Sequence, residues 1–180
     1  MNKYCVDLNF NFPVFKNTFD FTKYKGIRHS SLDTSIFKEE FINLVTGLEL
    51  KITWVEIFYV EPRDTKDFAI HTDNTGGDYV KMNWVFGGKN SLMQWYTVKP
   101  GVVKEPSKTI VNSLYMSYTK FEVELAHLQS VKFPSIAQVG IPHNIYNPKE
   151  DRYCLSIMLR DKDNNRLTMD TITNVFREYI

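Results

Sequence analysis

The runs Tyr79–Phe86 and Ser91–Val98 constrain this chain more than any other feature. In the first, Val80, Met82, Trp84 and Phe86 alternate with Lys81, Asn83 and Val85, which is the period of two of a strand with unlike faces. Gly87-Gly88-Lys89-Asn90 separates the two runs and has the glycine content of a tight turn. A hairpin is expected here, and a hairpin pairs its strands antiparallel. Similar runs lie on either side. Leu48–Val60 alternates Trp54, Glu56 and Phe58 with Val55, Ile57 and Tyr59, and Glu61-Pro62-Arg63-Asp64 breaks it. Pro134–Ile141 and Arg152–Leu159 read as further strands, with Asn147–Asp151 as a second hairpin loop between them. At least seven short strands result. No β-α-β alternation accompanies them, so the chain is expected to be mainly β, an antiparallel barrel or sandwich.

Two helices flank the strands. Asp33–Val45 carries the stripe Phe37, Phe41, Leu44 and Val45, with Asp33 or Thr34 as cap and Gly47 as stop. Asp170–Ile180 repeats Ile172, Val175, Phe176 and Tyr179 at helical spacing behind Asp170. The first thirty residues are aromatic and irregular. There Asn9–Phe12 and Phe19–Phe21 alternate in the manner of short edge strands. The 180 residues fit one domain, 1–180, and 13 Phe, 10 Tyr and 3 Trp supply a sizeable core. A net charge of +1 gives no support for binding nucleic acid or another polyanion. No apolar run is long enough to cross a bilayer, and the polar N-terminus is not a signal peptide. Cys5 and Cys154 make no disulfide framework, so a reducing cytoplasm is the expected compartment.

The residues that carry chemistry lie in two stretches. Ala69-Ile70-His71-Thr72-Asp73-Asn74 is the first; Ile141-Pro142-His143-Asn144 with Arg152 beyond it is the second. If Asp67–Asp73 is extended, His71 and Asp73 project from one face, and Asn74–Asp78 turns the chain after them. Two imidazoles and one carboxylate suit one face of a six-coordinate metal, with open positions opposite, as in non-haem iron(II) oxygenases. A guanidinium nine residues after His143 suits a carboxylate-bearing co-substrate. Across a hairpin, Arg152 would stand a few ångströms from His143. Each residue alone also has a plain reading: a surface His beside a solvated Asp, a polar strand start after Pro142, a surface Arg. Their order and spacing together favour the metal site. His29, in a polar stretch, reads as a surface residue and His127 as a structural one.

The pattern resembles the iron(II)- and 2-oxoglutarate-dependent oxygenase superfamily, and in particular small oxygenase-like proteins encoded by large bacterial viruses. The similar segments are Lys81–Gly88, Met93–Tyr96 and Val139–Asn147, and the likeness covers about Ile52 to Arg160. The resemblance implies a double-stranded β-helix, the jelly-roll of cupin-like proteins, with a strand over Phe121–Val131, where apolar spacing alone also permits a short helix. It implies that His71, Asp73 and His143 hold Fe(II) and are the catalytic centre. It implies that Arg152 binds 2-oxoglutarate, with Asn83 and Tyr96 as further hydrogen-bond donors to that co-substrate. Dioxygen and a second, unidentified substrate would complete the reaction, in a host cytoplasm if the chain is viral. Val102–Ser117 and Asn74–Asp78 are candidate lid segments. Two other classes stay open: a non-oxidative cupin-like metal protein, and a non-catalytic jelly-roll structural or binding protein.

Overall fold

The computed structural model describes residues 2–62, 69–74, 76–108, 114–131, 134–147 and 149–180. Twelve strands appear among them: β1 (Cys5–Asp7), β2 (His29–Ser31), β3 (Leu50–Val60), β4 (Ile70–Asp73), β5 (Val80–Gly87), β6 (Leu92–Val98), β7 (Ser107–Lys108), β8 (Leu114–Tyr118), β9 (Val123–Gln129), β10 (Ser135–Gln138), β11 (His143–Tyr146) and β12 (Arg152–Asp161). The helices are α1 (Glu39–Gly47) and α2 (Met169–Val175). One six-stranded sheet has the order β1-β10-β5-β12-β3-β2, the other β7-β8-β4-β11-β6-β9. Every pairing is antiparallel. The expectation of a mainly β, antiparallel architecture with flanking helices is met.

Both expected hairpins are absent, because each strand pairs with a distant partner instead of its chain neighbour. β5 lies in the first sheet and β6 in the second; likewise β11 lies in the second and β12 in the first. The connections are corners that carry the chain from one sheet to the other. Gly87 and Gly88 sit at φ +68° and +61°, a region that costs glycine little and other residues more. Gly88 donates its N–H to the Asp151 carbonyl at 2.9 Å, so the two corners bond to each other. A Cβ on Gly88 would stand 2.7 Å from Arg152 Cγ. His143 and Arg152 are therefore on opposite sheets rather than on paired strands.

Burial follows the alternation. Val80, Met82, Trp84, Leu155, Ile157 and Val55 point outward from the first sheet into a core closed by α1, α2 and the N-terminal aromatics. The expected edge strands there do not form. Instead Phe10, Phe12, Phe15 and Phe19 pack on this core, and Phe10 meets Phe41 and Phe176 edge-on. Tyr79, Val85, Met93, Trp95, Ala137 and Val139 fill a second core, with Ile145, Cys154 and Met158 against it. Trp95 crosses from the second sheet to donate its Nε1–H to the Gln138 carbonyl of the first, at 2.7 Å. Polar residues that alternate with the first core, among them Lys81, Asn83, Glu56 and Arg152, thus face the interior between the sheets.

The first helix is shorter than expected. Asp33 caps a single turn, Thr34–Ile36, by accepting from Ser35 N–H at 2.7 Å. Phe37 then extends to bridge Phe15, and Lys38 N–H bonds the Val14 carbonyl, which interrupts the helix before Glu39. The C-terminal helix is capped by Thr168 rather than Asp170 and ends in one turn at Arg177–Tyr179. Phe121–Val131 contains β9. Val102–Ser117 is not simply a loop, since β7 lies within it and most of β8, which pairs with β4. Residues 109–113 of that stretch lie outside the described residues, as do Asp67, Phe68 and Thr75. Among the described residues no helix is long and apolar enough to cross a membrane.

Candidate metal centre

β4 and β11 are neighbours, and their register places His71 opposite His143. Residues opposed in an antiparallel pair share a face, so both imidazoles point the same way. Their ring centroids are 4.6 Å apart. Asp73, two residues on from His71, points with it; Asp73 Oδ1 is 3.6 Å from His71 Nε2. One ligand atom from each of His71, Asp73 and His143 falls within 4.8 Å of the others. The same-face expectation for His71 and Asp73 and their meeting with His143 are thus seen in the geometry.

Each ring is oriented by its own chain. His71 Nδ1 donates to the Ala69 carbonyl and His143 Nδ1 to the Ile141 carbonyl, both at 2.9 Å. A carbonyl can only accept, so the proton sits on Nδ1 and the Nε2 lone pair is free. A backbone acceptor behind the imidazole is the usual support of a metal-ligating histidine. His143 is buried, and burial first, then the neighbouring His71, pushes its imidazolium down to about 4. It is neutral near pH 7, the form that binds metal.

Asp73 is held ionised. Burial would push its carboxyl up, but the Lys81 ammonium, with the two imidazoles behind it, outweighs this and holds it at about 2. Lys81 Nζ is 2.7 Å from Asp73 Oδ2 and 3.3 Å from Glu56 Oε2. Burial disfavours the ammonium, yet Asp73 and Glu56 together raise it well above the ordinary lysine range. Glu56 Oε1 is in turn 2.9 Å from His29 Nε2. His29 is therefore no free surface residue; its carboxylate partner comes from β3 rather than from its own strand. Spacing along one strand could not reveal that. The available signal was that Lys81 and Glu56 each stand on the face opposite an apolar one, Val80, Met82 and Trp84 in the first case and Val55 and Ile57 in the second. A second sheet buries that face.

Arg152 opens β12 and is 4% exposed. Its Nε has no hydrogen-bond partner, and its stem lies against Gly88. Cys154 alternates onto the same face; burial raises its thiol, while Arg152 and Lys81 pull the other way. Asn83 is buried on β5 and its Oδ1 likewise lacks a partner. Tyr96 is not brought to the centre. Trp95 takes the inner face of β6, and the Tyr96 hydroxyl lies 3.1 Å from Gln94 Oε1 and 3.3 Å from Asn144 Oδ1, among residues that pack with Ile70 and Tyr118. His127 stacks on Tyr4, centroids 5.0 Å apart, well within a structural role.

The centre is more open on one side than the other. The His71 side chain is 37% exposed, whereas His143 is buried. Across from His71 and Asp73 on β8 stand Ser117, exposed, and Tyr115, half-buried. Comparisons with protein-family models, with curated proteins and with solved structures find no match.

Proposed function

We propose that the protein is an iron(II)- and 2-oxoglutarate-dependent oxygenase on a jelly-roll, double-stranded β-helix scaffold. The observation that carries this reading is the convergence of His71 Nε2, Asp73 and His143 between the sheets, with both Nδ1 atoms committed to carbonyls. Two nitrogens and one carboxylate oxygen fit iron(II) with open positions. The strand order supports the scaffold. β3, β4, β5 and β6 fall alternately in the two sheets, and β9, β10, β11 and β12 do so again, as in two Greek-key halves that interleave.

When bound, iron(II) with 2-oxoglutarate and dioxygen supplies an oxidation that hydroxylates a second substrate and yields succinate and carbon dioxide. The protein's own groups bind and orient. His71, Asp73 and His143 hold the metal, and the carbonyls of Ala69 and Ile141 keep the imidazoles turned toward it. Arg152 is the partner for the co-substrate's far carboxylate. Its Nε is buried without a hydrogen-bond partner and is a donor left over for an anion. Asn83, directly opposite Ser156 on the same inner row, offers an unbonded acceptor to a donor inside the barrel. Met93, Trp95 and Val139 exclude water from the deep side. The second substrate enters from the side of His71 and β8, where the centre is open.

Anaerobic titration with iron(II), then 2-oxoglutarate, tests the reading. A visible metal-to-ligand charge-transfer band that saturates with 2-oxoglutarate is expected. Metal retention without that band would favour a non-oxidative metal protein, and no metal retention at all would leave a binding or structural jelly-roll.

A further inference from the structure

Lys81 is neither a metal ligand nor the co-substrate's anchor, yet it is built into the centre. Its side chain is 12% exposed and its ammonium bridges Asp73 on the second sheet to Glu56 on the first. Glu56 is tied in turn to His29 on the neighbouring β2. The row His29–Glu56–Lys81–Asp73 therefore spans the gap between the sheets, with each group held on both sides except at its ends. At the Asp73 end the two carboxylate oxygens are unlike. Oδ2 is gripped by Lys81 at 2.7 Å, and Oδ1 faces His71 Nε2 at 3.6 Å, where the metal ligands meet.

We infer that Lys81 is a positioning residue that makes Asp73 a one-oxygen ligand, and that Glu56 and His29 hold Lys81 in place for this task. The inference rests on the metal-centre reading above. A free carboxylate binds a divalent cation through one oxygen or through both. Two imidazoles and a single oxygen leave three positions on a six-coordinate ion. A chelating co-substrate would need two of them and dioxygen the third. If Asp73 swung round to give both oxygens, only two positions would remain and the reaction would lose one of its components. An ammonium on Oδ2 prevents the swing without entering the coordination sphere itself. A lysine present only to neutralise two neighbouring carboxylates would cost stability when removed, but would leave the number of open positions unchanged.

Manganese(II) stands in for iron(II) in the test, because the enhancement of water-proton relaxation by the bound ion reports how many waters it keeps. Wild type, Lys81→Met, Lys81→Gln and Lys81→Arg are titrated with manganese(II), and circular dichroism identifies the folded variants. Lys81→Gln keeps a polar group in the barrel should the thioether side chain prevent folding, but it is too short to hold Oδ2. The expected result is an enhancement per bound ion lower by about a third in the Met and Gln variants, as three open positions become two. The wild-type value should return in Lys81→Arg, which keeps a cation on Oδ2. A folded Met or Gln variant that binds manganese(II) with the wild-type enhancement overturns the role of Lys81 and leaves the metal centre standing. Failure of the wild-type chain to retain manganese(II) overturns the metal centre, and the role of Lys81 with it.

Discussion

Arg152 offers the sharpest perturbation. It is 4% exposed, its Nε is without a partner, and its stem packs on Gly88. In the ligand-free protein this is a buried charge with one donor left unsatisfied. In the proposed complex it would meet the co-substrate's carboxylate, and a desolvated pair of this kind loses about 2–5 kcal/mol when one partner is cut away. Arg152→Ala should therefore raise the Kd for 2-oxoglutarate by roughly 30- to 5,000-fold. Arg152→Lys should recover only part, since an ammonium lacks the two-pronged contact. Arg152→Met is the informative control. It keeps an unbranched stem over Gly88 and removes the buried charge with its unsatisfied Nε, so the ligand-free protein should unfold within about 1 kcal/mol of wild type. Iron affinity measured without 2-oxoglutarate should hardly change. The assay is an anaerobic titration of 2-oxoglutarate into iron-loaded variants, read by the charge-transfer band, with urea unfolding alongside. An unchanged Kd in Arg152→Ala refutes the reasoning, as does a folded variant that loses iron and 2-oxoglutarate together.

Further outcomes follow from the same geometry. His71→Ala and His143→Ala each remove a nitrogen ligand and should weaken iron(II) binding by at least about 100-fold, the upper end of what loss of an outer partner costs; equal affinity by anaerobic titration would move the site elsewhere. Asp73→Ala should leave weak metal binding but no turnover, measured as succinate release. Gly88→Ala places a Cβ 2.7 Å from Arg152 Cγ at a φ of +61°, so a loss of about 1–3 kcal/mol in unfolding free energy is expected, with weakened 2-oxoglutarate binding. The metal-free protein should be acid-sensitive. His143 titrates near 4 when folded, below its ordinary 6.5, so the unfolded chain binds the proton first; stability is full above 6.5 and falls by about 3 kcal/mol as pH drops to 4. In His143→Gln the slope over that interval should be flattened.

The shared face of His71 and Asp73 was legible because it rests on a short-range rule, whereas their meeting with His143 depends on the pairing of β4 with β11. A period of two puts His71 and Asp73 on one face whatever surrounds them. Strand alternation in Val80–Phe86 separates an apolar face from Lys81 and Asn83, and a stripe of Phe and Val residues marks α1. What the sequence could not decide was which strand each run would pair with. The loops at 87–90 and 147–151 have turn composition, and a turn of that composition serves equally for a hairpin or for a corner between sheets. The choice was made by distant partners: β5 finds β10 and β12, β6 finds β11 and β9, and the two corners bond each other through Gly88 and Asp151. The same holds for polarity. Alternation along their own strands only separates Lys81 and Glu56 from the apolar face, and it is the second sheet closing over them that turns their face into the interior. It then requires the charges to pair, His29 with Glu56 and Lys81 with Asp73, because an unpaired charge there would cost too much. Tyr96 shows the limit in one residue. Its neighbour Trp95 needs the inner face to reach the Gln138 carbonyl, so Tyr96 is turned away from the metal centre. The sequence by itself determined most of the strands, their faces and the candidate metal ligands His71, Asp73 and His143. The pairing of strands across long separations, and with it which polar face came to lie between the two sheets, was decided by tertiary packing alone.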